Sequence, residues 1–538
     1  MTSHKLLLGF AGAILFTAYA FSEEPVDLSV IHRIKAEAFE NSKIMEHLFY
    51  LTDVHGPRLT GSPGYQEAGD WVVSRLKEYG LANVHEEPWG PFGRGWTFTR
   101  FAGHMLAPQY QPLIGVPLAW TSGTQGAVQG EAIYAPLVND ADLEKYKGKL
   151  KGKIVLTMAP RVLSMIMEPQ GRRLTDAELE ARAQTPDPAR LGGPAAALFL
   201  GPTAAGQPTA EERQRRQQFR RKMNQFLKDE GALVVLQYGN GDGGTVFAQS
   251  GGSQDPKEPI PPPMVALTPE HYNRIVRLLD HKIPVKLEFD IQARFIDSPT
   301  DSFNVIGEIE GGSKKDELVM LGGHLDSWHG GTGATDNATG SAVAIEAVRI
   351  LKALNLKLDR TVRIALWGGE EEGLLGSQAY VKQHFADRET MQPKPEYFKL
   401  SAYYNDDTGT GRFRGIGVQG NDEAGPIFES WLKPFHDLGA TTVAGVSSFT
   451  ARRPGGTDHT SFDYVGLPGF SFIQDPMEYN TRTHHSNMDV YDRVQPGDVM
   501  QCAAIMAAFV YNTANRSQMM PRIPVPKPLP PQRQNSTQ

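Results

Sequence analysis

The stretch from Glu317 to Asp336, ELVMLGGHLDSWHGGTGATD, contains the groups most suited to chemistry. An apolar run, Leu318 to Leu321, enters a glycine pair and delivers His324; a glycine-rich loop then delivers Asp336 at the head of a new apolar segment. Zinc takes neutral imidazole and ionised carboxylate, and His324 and Asp336 supply one of each. Asp326 follows closely enough to accept the other ring proton of His324 and fix its tautomer.

A second stretch, Trp367 to Gly373, reads WGGEEEG directly after TVRIALW. Three adjacent carboxylates repel one another unless a cation lies among them. A metal answers that need, with Glu371 as ligand and Glu370 holding the attacking water as general base. The competing reading is an acidic helix start stabilised by the helix dipole. The third stretch is Tyr404-Asn405-Asp406-Asp407-Thr408-Gly409-Thr410. Its DTGT resembles an aspartic-peptidase loop, but that chemistry needs two such loops sharing a proton, and the chain has no second one. Asp407 or Asp406 is left as a metal ligand. The fourth stretch, Thr483 to Asp489, carries the adjacent His484 and His485.

These four stretches need elements that hold them together. Beyond Asn304, strand-like runs at Leu318–Leu321, Val362–Trp367, Leu400–Tyr404 and Gly469–Ile473 alternate with helical segments such as Ala338–Ala353 and Ala424–Leu438. That alternation predicts an α/β fold, a mostly parallel central sheet with helices on both faces. Each chemical stretch then follows the carboxyl end of a strand, where open α/β sheets build their sites. A last helix is expected from Gly497 to Asn512, with a Pro-rich solvated tail from 516 to 538. Five ligands without cysteine suit two zinc ions that share one carboxylate.

Upstream, helical spacing runs from Val26 to about Tyr50 and from Tyr65 to Tyr79, and Trp89 to Met105 reads as irregular structure or short strands. The character changes near Gly126, with strand-like runs at Ala132–Tyr134 and Lys153–Thr157. A charged helix follows from Thr209 to Asp229. Its Phe219, Met223, Phe226 and Leu227 recur at helical spacing, which makes Arg213, Arg215, Arg216, Arg220 and Arg221 its solvated face. The GNGDGG after Gln237 lacks a following helix and reads as a turn rather than a nucleotide loop.

At 538 residues the chain exceeds one hydrophobic core. Its net charge of -7 offers no basic excess for nucleic acid. Lys5, an apolar run and Ala18-Tyr19-Ala20 form a secretory signal over residues 1–20, and no later segment is apolar enough to span a bilayer. A single cysteine, Cys502, excludes an intramolecular disulfide and a cysteine zinc cluster, which fits a bacterial periplasm or exterior.

The motifs GGHLDSW…GATDNATG, GGEEEGLLGS, NDDTGT and HHSNMD, with GPRLTGS near the start, resemble the di-zinc exopeptidase family of bacterial secreted aminopeptidases, carboxypeptidase Q and glutamate carboxypeptidase II. The HLDSW…GA-x-D form is especially similar to carboxypeptidase Q. The resemblance implies one zinc on His324, Asp336 and Asp407, and another on Asp336, Glu371 and His485. It implies Glu370 as base and His484 as a donor to the oxyanion, while Asp458 and His459 in a further family loop stay off the catalytic list. It also implies an inserted, β-rich protease-associated domain at 126–296, between peptidase-domain segments at 21–125 and 297–515.

The function expected on this basis is hydrolysis of short peptides at one end, first as an aminopeptidase. The alternatives are a carboxypeptidase Q-like dipeptidase or carboxypeptidase, a one-zinc glutaminyl cyclase, or a receptor-like binding protein. Arg452-Arg453 and the three-carboxylate run supply charges for either peptide end. Peptides are the expected partners, with a homodimer as in related enzymes.

Overall fold

A computed structural model describes residues 24–184, 210–445 and 456–528. The expected signal at 1–20 and the Arg452-Arg453 pair lie outside the described residues. Two eight-stranded sheets form the frame.

The first sheet runs, in spatial order, Ala82–Trp89, Ser302–Ile309, Arg360–Trp367, Lys314–His324, Leu400–Asn405, Gly469–Gln474, Phe413–Gly417 and Thr442–Ala444. Its centre is parallel: Lys314–His324 lies between Arg360–Trp367 and Leu400–Asn405, which itself pairs with Gly469–Gln474. Antiparallel pairs occur on either side of that centre. The four parallel strands therefore all end on one edge of the sheet.

Side-chain alternation explains why this sheet is covered twice. Val319 and Leu321 enter one core with the helices Thr339–Ala353 and Pro496–Asn515. Leu318 and Met320 enter another with Leu375–His384 and His459–Asp463. Thr339–Ala353 is buried along most of its length, as its Ala, Val and Ile on every side require. The glycine pair before His324 is a matter of room. A Cβ on Gly322 would stand 1.9 Å from the Ala365 carbonyl oxygen, so a side chain there would push the two central strands apart.

The second sheet holds Gly95–Ala107, Lys286–Ile296, Val128–Tyr134, Lys153–Leu156, Val234–Tyr238 and Met264–Leu267, with the short Gln111–Pro112 and Gly115–Pro117 at its edges. The stretch expected to be irregular, Trp89 to Met105, is mostly one long strand, because Gly95–Ala107 pairs along its length with Lys286–Ile296. The change of sheet accordingly falls between Trp89 and Gly95, upstream of the composition shift at Gly126. Composition reports solvent and loops there, whereas pairing with a strand far downstream decides sheet membership. Leu59, Trp89, Phe92, Trp96, Trp120 and Trp328 pack the two sheet units against each other.

Two more expectations are corrected. The helix expected from Val26 to Tyr50 is two, Leu28–Glu40 and Ile44–Phe49, followed by a wide turn at Tyr50–Val54. Asn41 caps the first, and the Lys43 N–H turns to Glu346 at 3.0 Å instead of continuing it. The tail after Asn515 begins packed rather than solvated: Met520 is buried and donates its N–H to Ser401, and Asn421 donates to the Pro521 carbonyl.

Candidate metal centre

All four chemical stretches meet at the carboxyl edge of the parallel strands. His324 ends the central strand, and its Nδ1 lies 3.0 Å from the Asp326 backbone carbonyl. The Asp326 carboxylate is farther, at 3.5 Å. The tautomer is thus held by the carbonyl, and the carboxylate has another task. It accepts the backbone N–H groups of Glu370 at 3.3 Å and Glu371 at 3.2 Å, together with the Thr60 hydroxyl at 3.0 Å. Thr60 accepts from the Gly369 N–H at 3.0 Å, so Asp326 and Thr60 together lock the EEE loop against the strand end.

With Nδ1 occupied, His324 presents Nε2 to three carboxylates. Asp407 Oδ1 lies at 3.2 Å, Asp336 Oδ1 at 3.3 Å and Glu370 Oε2 at 3.9 Å. The other oxygen of Asp336, Oδ2, lies 3.2 Å from His485 Nε2 and 3.6 Å from His484 Nε2. Glu371 Oε2 is 2.9 Å from His485 Nε2. Asp336 therefore stands between two histidine-containing clusters, one oxygen toward each. Asp406 makes no such approach; it is buried, and burial pushes its carboxyl well above the carboxylate range.

The electrostatics call for cations. Burial alone would lower both imidazoles, but Asp407 and Glu370 raise His324 well above its ordinary range, and Glu371 and Asp336 carry His485 up to about 11. Burial lifts Glu370 well above a normal glutamate, and burial with Asp336 beside it takes Glu371 to about 7. Asp336 resists its own burial through hydrogen bonds to both histidines and stays well below. Glu371 Oε1 is buried without a hydrogen-bond partner. Buried carboxylates in excess of their positive partners, with imidazole nitrogens facing them and no cysteine, fit dications of the zinc type. Two sets of three groups are close enough for an ion: His324, Asp336 and Asp407, and Asp336, His484 and His485. Glu371 adjoins the second set.

Several parts of this machinery went unassigned in the sequence. Arg58, inside the GPRLTGS motif, is fully buried. Its guanidinium donates to the carbonyls of Leu51 at 2.5 Å, Leu325 at 2.7 Å, and Thr332 and Gly333 at 2.8 Å each. It thereby ties the loop before Asp336 to the loop after His324, and burial brings its pKa down to about 10. Replacing Arg58 with Met leaves four buried carbonyls without that donor and is expected to destabilise the protein by about 3–5 kcal/mol. Thermal unfolding checks this, and an unchanged melting temperature would remove Arg58 from the role.

Asp489, the last residue of the HHSNMD motif, accepts the N–H groups of Thr335 at 2.5 Å and Asp336 at 3.2 Å, so one loop sets the other's backbone. Gln249, from the second-sheet unit, places Nε2 3.0 Å from His485 Nδ1, and the Ala248 N–H donates to the His485 carbonyl. His485 itself sits at φ 62, a left-handed conformation costing about 1–2 kcal/mol that these contacts sustain. Only the motif letters hinted at Arg58 and Asp489, and nothing local hinted at Gln249. His484 is half-buried with a neutral-leaning ring, lowered by burial, its centroid 3.6 Å from that of His485. Asp458 is fully buried with both oxygens unpartnered, and burial takes its carboxyl to about 7.

Residues 304–510 match the family model described as Peptidase family M28. Human carboxypeptidase Q is 26% identical over 480 residues, covering 89% of this chain and 86% of that protein. An aminopeptidase of Pseudomonas aeruginosa is 38% identical over 122 residues, 22% of this chain and 20% of that one. Among solved structures, a peptidase M28 precursor from Shewanella amazonensis superposes with a TM-score of 0.62 at 23% identity, covering 93% of this chain and 98% of that one. A zinc aminopeptidase from Bacillus subtilis gives 0.52 at 18% identity, with 89% and 98% covered.

Proposed function

We propose that the chain, whose residues 304–510 match the model of peptidase family M28, is a member of that family, a zinc-dependent metallo-exopeptidase that trims short peptides and binds two zinc ions. The observation that carries the reading is Asp336, with Oδ1 3.3 Å from His324 and Oδ2 3.2 Å from His485. On this reading His324, Asp336 and Asp407 hold one ion, and Asp336, Glu371 and His485 hold the other. Zinc bound there supplies Lewis acidity toward the scissile carbonyl and makes a neighbouring water acidic at neutral pH.

The remaining work belongs to side chains. Glu370 takes the proton of the attacking water on a carboxylate oxygen and passes it to the leaving amine. Burial raises its affinity for that proton, which suits a group that must accept it and then release it. His484, exposed enough to meet substrate and neutral, donates a hydrogen bond to the oxyanion. The Asp326 carboxylate keeps the Glu370 and Glu371 backbone in place.

Both peptide ends stay in play. The aminopeptidase reading draws on the short, closer match to the Pseudomonas aeruginosa enzyme. The carboxypeptidase Q reading draws on a match along most of the chain. The signal over residues 1–20 directs the protein out of the cytoplasm, in keeping with the absence, among the described residues, of any helix long and apolar enough to cross a membrane. The second-sheet unit is a protease-associated-like module over the site, and the protein works as a homodimer, as the family resemblance implies. Mass spectrometry of a free dipeptide and of blocked and unblocked hexapeptides, each incubated with zinc-loaded protein, tests the activity. Removal of single residues from one end is expected. No cleavage at full zinc occupancy would overturn the exopeptidase reading, and one zinc per chain would turn it toward a cyclase.

A further inference from the structure

The arginine-rich helix Ala210–Asp229 does more than solvate a surface. Its Met223 and Leu227 are buried in the second-sheet unit, and Asn224 donates to the Gly251 carbonyl at 3.0 Å, so its last turns are fixed. Arg215 and Arg216 are exposed, as the hydrophobic spacing implied. Arg220 and Arg221, exposed like them, also line, with Glu258, a cleft of about 480 Å³ between the two sheet units. Trp120 joins them on one wall, and Trp328, Glu371 and Glu372 form the wall opposite. That volume falls within the roughly 300–1,000 Å³ range of small-ligand pockets.

The charges in this cleft are unequally settled. Arg221 pairs with Glu258 at 2.9 Å, and Lys222 with Asp140 at 2.8 Å. Arg220 has no ion pair among the described residues. Burial and the nearby Arg221 lower its pKa from the ordinary range, against the pull of Glu258 in the same cleft. Glu258 in this cleft is taken up by Arg221, so the Arg220 guanidinium, without an ion pair of its own, is available to take a further carboxylate in a two-pronged hydrogen bond. Glu371, a ligand on the reading above, faces the same cleft. A group held by Arg220 therefore belongs to a substrate whose peptide bond lies at the metal centre.

We infer that Arg220 recognises a carboxylate of the peptide substrate and so sets which peptides this enzyme takes. The inference rests on the exopeptidase reading and adds to it a named specificity residue from the second-sheet unit. Two sources share the chemistry: the free α-carboxylate of a short peptide, and an acidic side chain.

The test compares zinc-loaded full-length protein with its Arg220→Met and Arg220→Lys variants on three substrates. These are a neutral dipeptide with a free carboxylate, its C-terminal amide, and an amidated dipeptide that carries glutamate. Wild type is expected to prefer one carboxylate-bearing substrate over the neutral amide by about 10- to 100-fold in kcat/KM, mainly through KM. Arg220→Met should bring that ratio close to one, with Arg220→Lys in between. Arg215→Met, on the exposed face of the same helix, should keep the wild-type ratio. Preference for the free acid assigns the terminal carboxylate, and preference for the glutamyl amide assigns a side chain. A ratio unaltered in Arg220→Met, with zinc content and melting temperature as in wild type, overturns the inference while leaving the exopeptidase reading intact. No hydrolysis of any substrate by zinc-loaded wild type overturns that reading first, and the inference with it.

Discussion

Glu370→Gln is expected to lower kcat by about a thousandfold while the protein still binds its full complement of zinc. The amide keeps the shape and burial of the carboxylate, and the Glu370 N–H still donates to Asp326. Only the capacity to accept a proton from water is lost. Of the three adjacent glutamates, Glu371 lies 2.9 Å from His485, whereas Glu370 stands 3.9 Å from His324. The two should therefore respond differently. Glu371→Gln should lose zinc and activity together, whereas Glu370→Gln should lose activity alone. Turnover measured beside zinc content by elemental analysis distinguishes them. A metal-loaded Glu370→Gln enzyme with near-wild-type turnover would sink the base assignment.

The second large effect is expected at Asp336. Because its two oxygens face different clusters, Asp336→Asn should abolish tight zinc binding at both sites, while His485→Ala should leave one zinc per chain. Asp489 and Arg58 continue to hold the surrounding backbone in the variant, so the fold should survive the loss of ligands. Chelation of wild type should reproduce the inactivity and also lower stability. A site whose ligand is present at a thousandfold above Kd contributes about 4 kcal/mol, and that contribution disappears with the metal. Elemental analysis of the three proteins and melting curves with and without chelator check this. One zinc retained by Asp336→Asn would overturn its bridging position.

The contrast between the strand-end ligands and their supports shows how far the sequence could be read. Leu318 to Leu321 followed by two glycines and His324 is a local pattern, since apolar residues, a bare backbone and a polar ligand sit in succession. The same holds for TVRIALW before the three glutamates and for Leu400 to Tyr404 before Asp407. Parallel strands all present their carboxyl ends on one edge, so four local patterns were enough to bring His324, Asp336, Glu370, Glu371, Asp407 and His485 together. The single cysteine likewise settled, without coordinates, that only His, Asp and Glu are available as strong ligands.

Groups whose meaning depends on distant partners were beyond that reading. Nothing near Asp326 reveals that its carboxylate holds the Glu370 and Glu371 amides while its carbonyl takes the His324 ring. Gln249 and Arg220 belong to a unit with its own sheet; Gln249 meets His485, and Arg220 lines a cleft that Glu371 also lines, because Trp96, Trp120 and Trp328 pack two units together. The early change of sheet at Gly95 depends on pairing with Lys286–Ile296 across most of the second unit. The sequence by itself determined which side-chain types could serve as ligands, their strand-end placement and the parallel sheet, because periodicity and side-chain chemistry act over a few residues. Tertiary structure alone decided which backbone amides Asp326 holds, which unit supports His485 and which arginine faces the cleft, because packing joins groups that no local pattern connects.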